Sequence, residues 1–292
     1  MIRLACYAIL ASAAMAQPLH VDHATVAGKN LQSMREALSA AGVPSEYGGP
    51  HSNHATEMAL ASFPDGSYLE LIAIQPHANP AAVAAHYWHS FLESDGGPCA
   101  WAIRPANIAA EVGQLRKAGI AVTEPLQGGR KRPDGVELEW ENSQVGPTNG
   151  GFFPFMIHDL TPRERRAYPS GKPTTAKWTG IVKVVVAVRD LDAAIGKYRR
   201  AYALPVPERQ DDPEFGAKLA WFPGTPVVLA APLGSESWLE ARIEKLGEAP
   251  CAFVLGAAHG VTGSGESSNW FGKPILWANA AHLGWHLGFE PQ

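Results

Sequence analysis

Residues 96–103 read "GGPCAWAI" and residues 248–255 read "EAPCAFVL". Each is an apolar run entered through a proline, with a cysteine at the same place. An echo of this kind, about half a chain apart, signals an internal repeat. Outward from it, "HVDHATVAGKNLQSMREALSAAGV" (20–43) is a strand, a turn and a helix: Leu31, Met34 and Leu38 recur at helical spacing and Gly42 ends the run. The same grammar follows Cys99, where Ile108, Val112 and Leu115 mark a helix face and Gly119 the stop. It returns in "IVKVVVAVRDLDAAIGKYRRAYAL" (181–204).

In the first two copies alternating stretches follow the helix. These are "TEMALASF" (56–63) and "YLELIAI" (68–74) in one, "VELEW" (136–140) and "FFPFMIH" (152–158) in the other, with "PDG" turns at 64–66 and 133–135. The third copy continues through "LAWFPG" and "PVVLAAP". The fourth starts at Cys251 and has "PILWANA" and "GWHLGF" as strands, but "GAAHGVTGSGESSN" (256–269) stands where its helix should be and is too rich in glycine and serine to form one. A single module leaves an apolar sheet face uncovered, so modules close in pairs. The expectation is an α+β fold of four modules, each a strand, a helix and several strands, the last degenerate, paired into two domains. These occupy residues 17–160 and 179–292, joined by a linker at 161–178. The most basic short run, "TPRERRAYP" (161–169), is broken by Glu164 and set between prolines, which reads as a solvated connector.

With 46% hydrophobic and 18% charged residues the chain can bury real cores, and a formal net charge of -4 supplies no basic field for steering nucleic acid. At the N-terminus one arginine precedes the apolar run "LACYAILASAAM", and Ala14-Met15-Ala16 supplies a small-x-small cleavage site. This is the pattern of a signal peptide over residues 1–16, so the mature chain is expected to start at Gln17 and to be periplasmic or secreted. No later segment has the long uncharged apolar run of a membrane span. Removing the leader leaves Cys99 and Cys251, an even pair that could form a disulfide or stand as two buried thiols.

On "VDHATVAGKNL", "GGPH", "DGSYLELIA", "GGRKRPDG" and "FFPFMIHD" the chain resembles the glyoxalase-like domain of the vicinal oxygen chelate superfamily, which joins glyoxalases, bleomycin-resistance proteins and dioxygenases. The resemblance implies βαβββ-type modules paired into two glyoxalase-like domains whose mixed sheets curl around a central cavity, with metal ligands supplied by the first and last strands of each of two paired modules. Carried over position by position, His23 falls at the first-strand ligand position and Glu70 at the last-strand one. Strand alternation puts Val21, His23 and Thr25 on one face and Asp22, Ala24 and Val26 on the other, and it sets Tyr68 and Glu70 opposite Leu69 and Leu71. The second module departs from the pattern, with Ala100 at the place of His23 and an apolar residue near Phe155 at the place of Glu70. His158 is in register to substitute. Lys183 replaces the histidine in the third module.

His23 and Glu70 are therefore the candidate catalytic pair, since an unpaired carboxylate is costly to bury and imidazole is its natural partner. They are also the two candidate ligands of a divalent metal (zinc, iron, nickel or manganese), with His51, His54 or Glu57 as sources of a third. Without a metal the pair would do acid–base work, and no other cofactor is expected. His51, Arg130 and Arg132 are candidate substrate contacts, the arginines as clamps for a carboxylate or phosphate, and Trp101, Trp140 and Phe155 are a candidate aromatic lining. His86 and His89, one helical turn apart, read as an exposed helix. The expected function is that of an exported protein acting on a small organic molecule by metal-assisted or carboxylate-based proton transfer, lyase or isomerase chemistry. The alternative is a binding or sequestering protein of the same fold that turns nothing over. The expected partner is a small-molecule ligand, with neither nucleic acid nor membrane. A homodimer formed through the second domain stays open.

Overall fold

The computed structural model describes residues 19–259 and 266–291; the expected leader and part of the glycine- and serine-rich run lie outside them. The first sheet holds β1 (Val21–Ala27), β2 (Glu46–Pro50), β3 (Thr56–Ser62), β4 (Tyr68–Ile74), β5 (Gly97–Ile103), β6 (Leu126–Lys131), β7 (Glu137–Ser143) and β8 (Phe155–Asp159). They are hydrogen-bonded in the order β2-β3-β4-β1-β5-β8-β7-β6. The second sheet holds β9 (Trp178–Ala187), β10 (Glu208–Asp212), β11 (Ala217–Trp221), β12 (Val227–Pro232), β13 (Pro250–Ala257), β14 (Glu266–Trp270), β15 (Lys273–Trp277) and β16 (His286–Glu290). Its order, β10-β11-β12-β9-β13-β16-β15-β14, repeats that of the first. Each sheet is thus two modules joined antiparallel through their first strands, with the first and last strands of each module parallel. This is the expected α+β architecture.

Local chemistry explains the helices α1 (Leu31–Ala40), α4 (Ile108–Lys117) and α6 (Leu191–Tyr202), which open the first three modules. Asn30, Asn107 and Asp190 cap them, each accepting a 2.9 Å bond from the amide three residues on, the usual work of a side-chain oxygen at an N-terminus. Gly42 and Gly119, at φ +80° and +74°, follow α1 and α4 in the left-handed region. Shorter helices are α2 (Pro80–Ala84), α3 (His89–Ser94), α5 (Arg163–Ala167) and α8 (Ala280–Leu283), while α7 (Trp238–Leu246) precedes the fourth module. No described residue between β13 and β14 is helical, and the serine-rich run ends in β14. Among the described residues no helix is long and apolar enough to cross a membrane.

The two sheets share one core. Val26, Leu69 and Leu71 of the first and Val184, Leu255 and Phe289 of the second belong to a single buried cluster that takes in residues of α1, α4 and α6. Trp178 ties the halves together: it stacks on Phe289 at 4.1 Å between ring centres and donates from Nε1 to the Gly42 carbonyl at 2.9 Å. Cys99 and Cys251 are free and buried. Arg242 lies near both, donating to the carbonyls of Gly96, Pro98 and Pro250.

The first strand departs from simple alternation. Val21 pairs with Ile103 and His23 with Ala102, so Asp22 is the extra residue of a β-bulge. Val21, Ala24 and Val26 consequently all face the shared core, and Asp22 and His23 both face the other side. The alternation drawn from the sequence, which separated these two residues, is corrected by the bulge. The second sheet repeats the device: Val254 pairs with Lys183 and Leu255 with Ile181, making Val182 the extra residue.

Removing the Trp178 ring deletes a fully buried indole and the hydrogen bond it makes across the halves. Trp178→Ala should lower unfolding free energy in urea by about 3–5 kcal/mol. A loss under about 1 kcal/mol would show that the halves do not depend on this contact.

Candidate active site

The concave face of the first sheet surrounds a cavity of about 360 Å³ that admits His23, His51, Tyr68, Glu70, Arg130 and Phe155 to its wall. Strand pairing explains the convergence. β1 lies beside β4, with His23 opposite Tyr68 and Thr25 opposite Glu70. His51 arrives from the loop after β2, where its amide donates to Thr56 O at 2.8 Å and the Asn53 carboxamide caps the amides of Ala55 and Thr56.

Asp22 is fully buried, and its carboxylate is held on every side. Arg166 donates to both oxygens, at 3.0 and 2.9 Å, and Arg163 bonds the second. Both arginines also grip Asp159, Arg166 at 2.5 and 2.9 Å and Arg163 at 3.0 Å. The four charges cancel. Burial acts to raise the Asp22 pKa, but Arg166, the His23 hydrogen bond and Arg163 together hold it well below the usual carboxylate range. An ionised carboxylate can only accept, so the 2.6 Å contact from His23 Nδ1 to Asp22 Oδ1 fixes the hydrogen on Nδ1 and leaves Nε2 facing the cavity. The imidazole is clamped further by a parallel stack on Tyr68 (4.9 Å, 3°) and by the edge of Phe155 (5.3 Å). Arg166 Nη1 in turn donates to the Tyr68 hydroxyl at 2.6 Å.

Glu70 carries the cavity's carboxylate. Thr25 Oγ1 donates to Oε2 at 3.2 Å, His51 Nε2 stands 3.3 Å from Oε1 and His23 Nε2 stands 3.8 Å from Oε2. His51 Nδ1 lies 2.7 Å from Thr56 Oγ1. With the threonine hydroxyl donating there, His51 presents Nε2–H to Glu70. Burial pushes the Glu70 carboxyl up, yet the His51 hydrogen bond, the positive charge that the two imidazoles carry when protonated in acid, and Thr25 overcome it and hold the pKa at about 2. Glu70 is an ionised base flanked by one N–H donor and one imidazole lone pair.

Two imidazoles and a carboxylate are suitable metal ligands, but the residues present do not complete a chelate. Among the described residues no group of three or more His, Cys, Asp or Glu side chains is arranged to hold a metal ion. The second module adds no donor, because Ala102 pairs with Phe155 as Thr25 pairs with Glu70, which places Phe155 where a second carboxylate would stand. The second sheet is further removed. Lys183 sits at the place of His23 and bonds Glu290, which also accepts from Lys273 at 2.6 Å. Its concave side is filled by Phe215, Trp270, Trp277 and their apolar neighbours.

The other sequence candidates are distributed differently. Arg130 lines the cavity, whereas Arg132 does not: its guanidinium is spent on the carbonyls of Arg165, Tyr168 and Pro169 and on Asp134. Trp101 is fully buried in the shared core rather than in the lining, while Trp140 and Phe155 do line it. His158 faces away opposite Glu141, His54 is exposed, and Glu57 is bonded by Tyr47. The "TPRERRAYP" run is no solvated connector, since Arg166 is buried and its α5 anchors Asp22. His86 also departs from expectation. The insert breaks between α2 and α3, so His86, Tyr87 and Trp88 form a cavity wall. There burial and the nearby His51 lower the His86 pKa, and Trp88 Nε1 donates to Asn149 O at 3.2 Å.

A sequence profile described as "Glyoxalase-like domain" matches residues 21–202. The chain belongs to that family, within the vicinal oxygen chelate superfamily. Among solved structures, a hypothetical protein from Staphylococcus aureus is similar at 14% identity over 94% of this chain and all of its own, with a TM-score of 0.66. A mutant of 4-hydroxymandelate synthase from Streptomyces coelicolor is similar at 12% identity over 94% of this chain and 92% of its own, with a TM-score of 0.60. Methylmalonyl-CoA epimerase from Mycobacterium tuberculosis matches 40% of this chain and 91% of its own at 20% identity and a TM-score of 0.34. No curated protein matches the chain.

The depressed pKa of Glu70 has a direct consequence for stability. A carboxyl held at about 2 when folded against its ordinary 4.5 contributes stability that is complete above pH 4.5 and is lost as the pH falls toward 2. Urea midpoints of the wild type should decline from about pH 6.5 as the buried His86 and His286 resist protonation, and below about pH 4.5 Glu70→Gln, which keeps that decline, should fall less steeply than the wild type. A variant as acid-sensitive as the wild type would show that Glu70 is not held ionised by its neighbours.

Proposed function

We propose that this protein is an exported enzyme that moves a proton on a carbon next to a carbonyl of a small organic molecule, with Glu70 as the base. The observation that carries the reading is the cluster at Glu70: a buried, ionised carboxylate in a cavity, with the His51 Nε2–H donor on one oxygen and the His23 lone pair near the other.

The His51 hydrogen bond makes Glu70 a weak base. A substrate carbonyl that takes over the His51 N–H removes that bond from Glu70 and raises its proton affinity where the C–H proton must go. Glu70 accepts the proton, the C–H electron pair becomes the new C=C bond, the carbonyl π pair moves to the oxygen, and His51 stabilises the oxyanion. Return of the proton from Glu70 to the same carbon gives exchange with solvent, and return to the neighbouring carbon, with the substrate's hydroxyl proton passing through His23 Nε2 to the oxyanion, completes an isomerisation. His23, fixed by Asp22, accepts a hydrogen bond from a substrate hydroxyl through Nε2. No step passes through a metal. Export rests on the leader pattern of residues 1–16.

Proton exchange is the direct test. Wild type incubated in D₂O with a set of 2-hydroxy and 2-oxo carbonyl compounds should incorporate deuterium next to the carbonyl of at least one. Glu70→Gln should slow this by about 10²- to 10⁴-fold, and His51→Ala should slow it while leaving ligand binding detectable. Ligand binding without exchange in the wild type would assign the cavity to sequestration instead. For export, the intact mass of the protein recovered outside the cytoplasm should begin at Gln17, and a chain retaining Met1 would contradict processing.

A further inference from the structure

The first cavity holds a guanidinium that no carboxylate among the described residues pairs with, Glu70 favouring its charge only through space. Of its two arginines, Arg166 is consumed by Asp22, Asp159 and the Tyr68 hydroxyl. Arg130 makes one hydrogen bond, from Nη1 to the Gly48 carbonyl at 3.0 Å, and among the described residues it has no carboxylate within ion-pair distance. Its guanidinium is half-buried on β6 and lines the same wall as Glu70. A partly desolvated guanidinium with one hydrogen bond and no ion pair leaves donors unused, and its fork of donors matches a carboxylate.

Neighbouring residues describe the rest of the ligand. Trp140 pairs across the strands with Gly128, and a Cβ at Gly128 would lie 2.7 Å from the Trp140 Nε1. The glycine therefore lets the indole lie flat over β6, two residues from Arg130. Phe155, Ile157 and Met58 continue an apolar wall within the roughly 360 Å³ of space. The opening toward β7 is polar, with Asn142 and Gln144.

We propose that the cavity binds a small monocarboxylate carried on a flat apolar body, with the carboxylate on Arg130 and the body against Trp140 and Phe155. This deepens the reading of Glu70 as a base and rests on it for which carbon reacts: the acidic C–H lies between the Arg130-bound carboxylate and Glu70. One free guanidinium matches a monoanion. A phosphate dianion would leave a net negative charge facing the Glu70 carboxylate, with Arg166 already committed.

The test uses phenylacetate, its neutral isostere phenylacetamide and phenyl phosphate, with binding followed by tryptophan fluorescence and calorimetry. Phenylacetate should bind at least tenfold more tightly than phenylacetamide, and phenyl phosphate no more tightly than phenylacetate. Arg130→Gln should abolish the preference for the acid, Arg130→Lys should retain part of it, and Trp140→Leu should weaken acid and amide alike. Equal binding of acid and amide, an acid preference that survives Arg130→Gln, tighter binding of phenyl phosphate, or no binding of any of the three overturns the proposal. Glu70→Gln separates the two readings, since it should keep or strengthen phenylacetate binding. If phenylacetate binds through Arg130 but no compound exchanges a proton, the functional reading fails and this one stands.

Discussion

The site depends on one extra residue in one strand. Because Asp22 is the bulged position of β1, two consecutive side chains turn to the concave face, and a carboxylate lands 2.6 Å from the Nδ1 of the neighbouring histidine. A buried carboxylate there requires charge from elsewhere, and α5 delivers it through Arg163 and Arg166, from just past the end of the sheet. Asp159 closes the count at the last position of β8, so the network also ties the first strand to the last. Removing one member would leave an uncompensated buried charge, which is more damaging than never having built the pair. The orientation of His23, the Tyr68 stack and the docking of α5 are consequences of the same bulge.

Repetition and divergence can be followed through that feature. The second sheet keeps the bulge but carries Val182 and Lys183 where the first has Asp22 and His23, and Val228 pairs with Val185 where Glu70 pairs with Thr25. With the chemistry gone, its concave side is packed: Phe215, Trp270 and Trp277 fill it, and Trp270 Nε1 donates to Asp212 at 2.6 Å. His286, against Trp238 at 4.4 Å, is held neutral by burial and by Arg242, which take its pKa down to about 4. One sheet keeps a cavity lined by charged and polar groups and the other is packed as core, while the shared apolar layer between them makes both necessary to the fold.

The modular plan was legible because it rests on local signals. Helix caps at Asn30, Asn107 and Asp190, stop glycines, and the alternation in "YLELIA" all act within a few residues, and Glu70 between leucines announced itself as a charge needing a partner. The edge strands β2, β6, β10 and β14 were hidden, since glycine, proline and charge blunt such edges and erase the apolar pattern. The bulge was illegible for a deeper reason: alternation assumes a constant period of two, and one inserted residue reverses every assignment before it. Arg166 and His86 were missed because their partners are remote in sequence. A basic run between prolines and a histidine in an insert look like surface until Asp22 and His51 are brought to them by the sheet. Trp101 and Arg132 show the converse, residue types suited to a site whose side chains the fold spends on core packing and on backbone carbonyls.

The central claim is that Asp22 fixes the hydrogen of His23 on Nδ1 and leaves Nε2 unprotonated toward Glu70. It is tested most directly by ¹⁵N NMR of the His23 ring at a pH where histidine is neutral, in the wild type and in Asp22→Asn. The account predicts the Nδ1–H form in the wild type and a changed ring signal in the variant, with the Glu70 carboxyl still ionised. An Nε2–H form of His23 in the wild type would contradict it, because the imidazole would then be a second donor to Glu70 and Asp22 would have no part in setting the site.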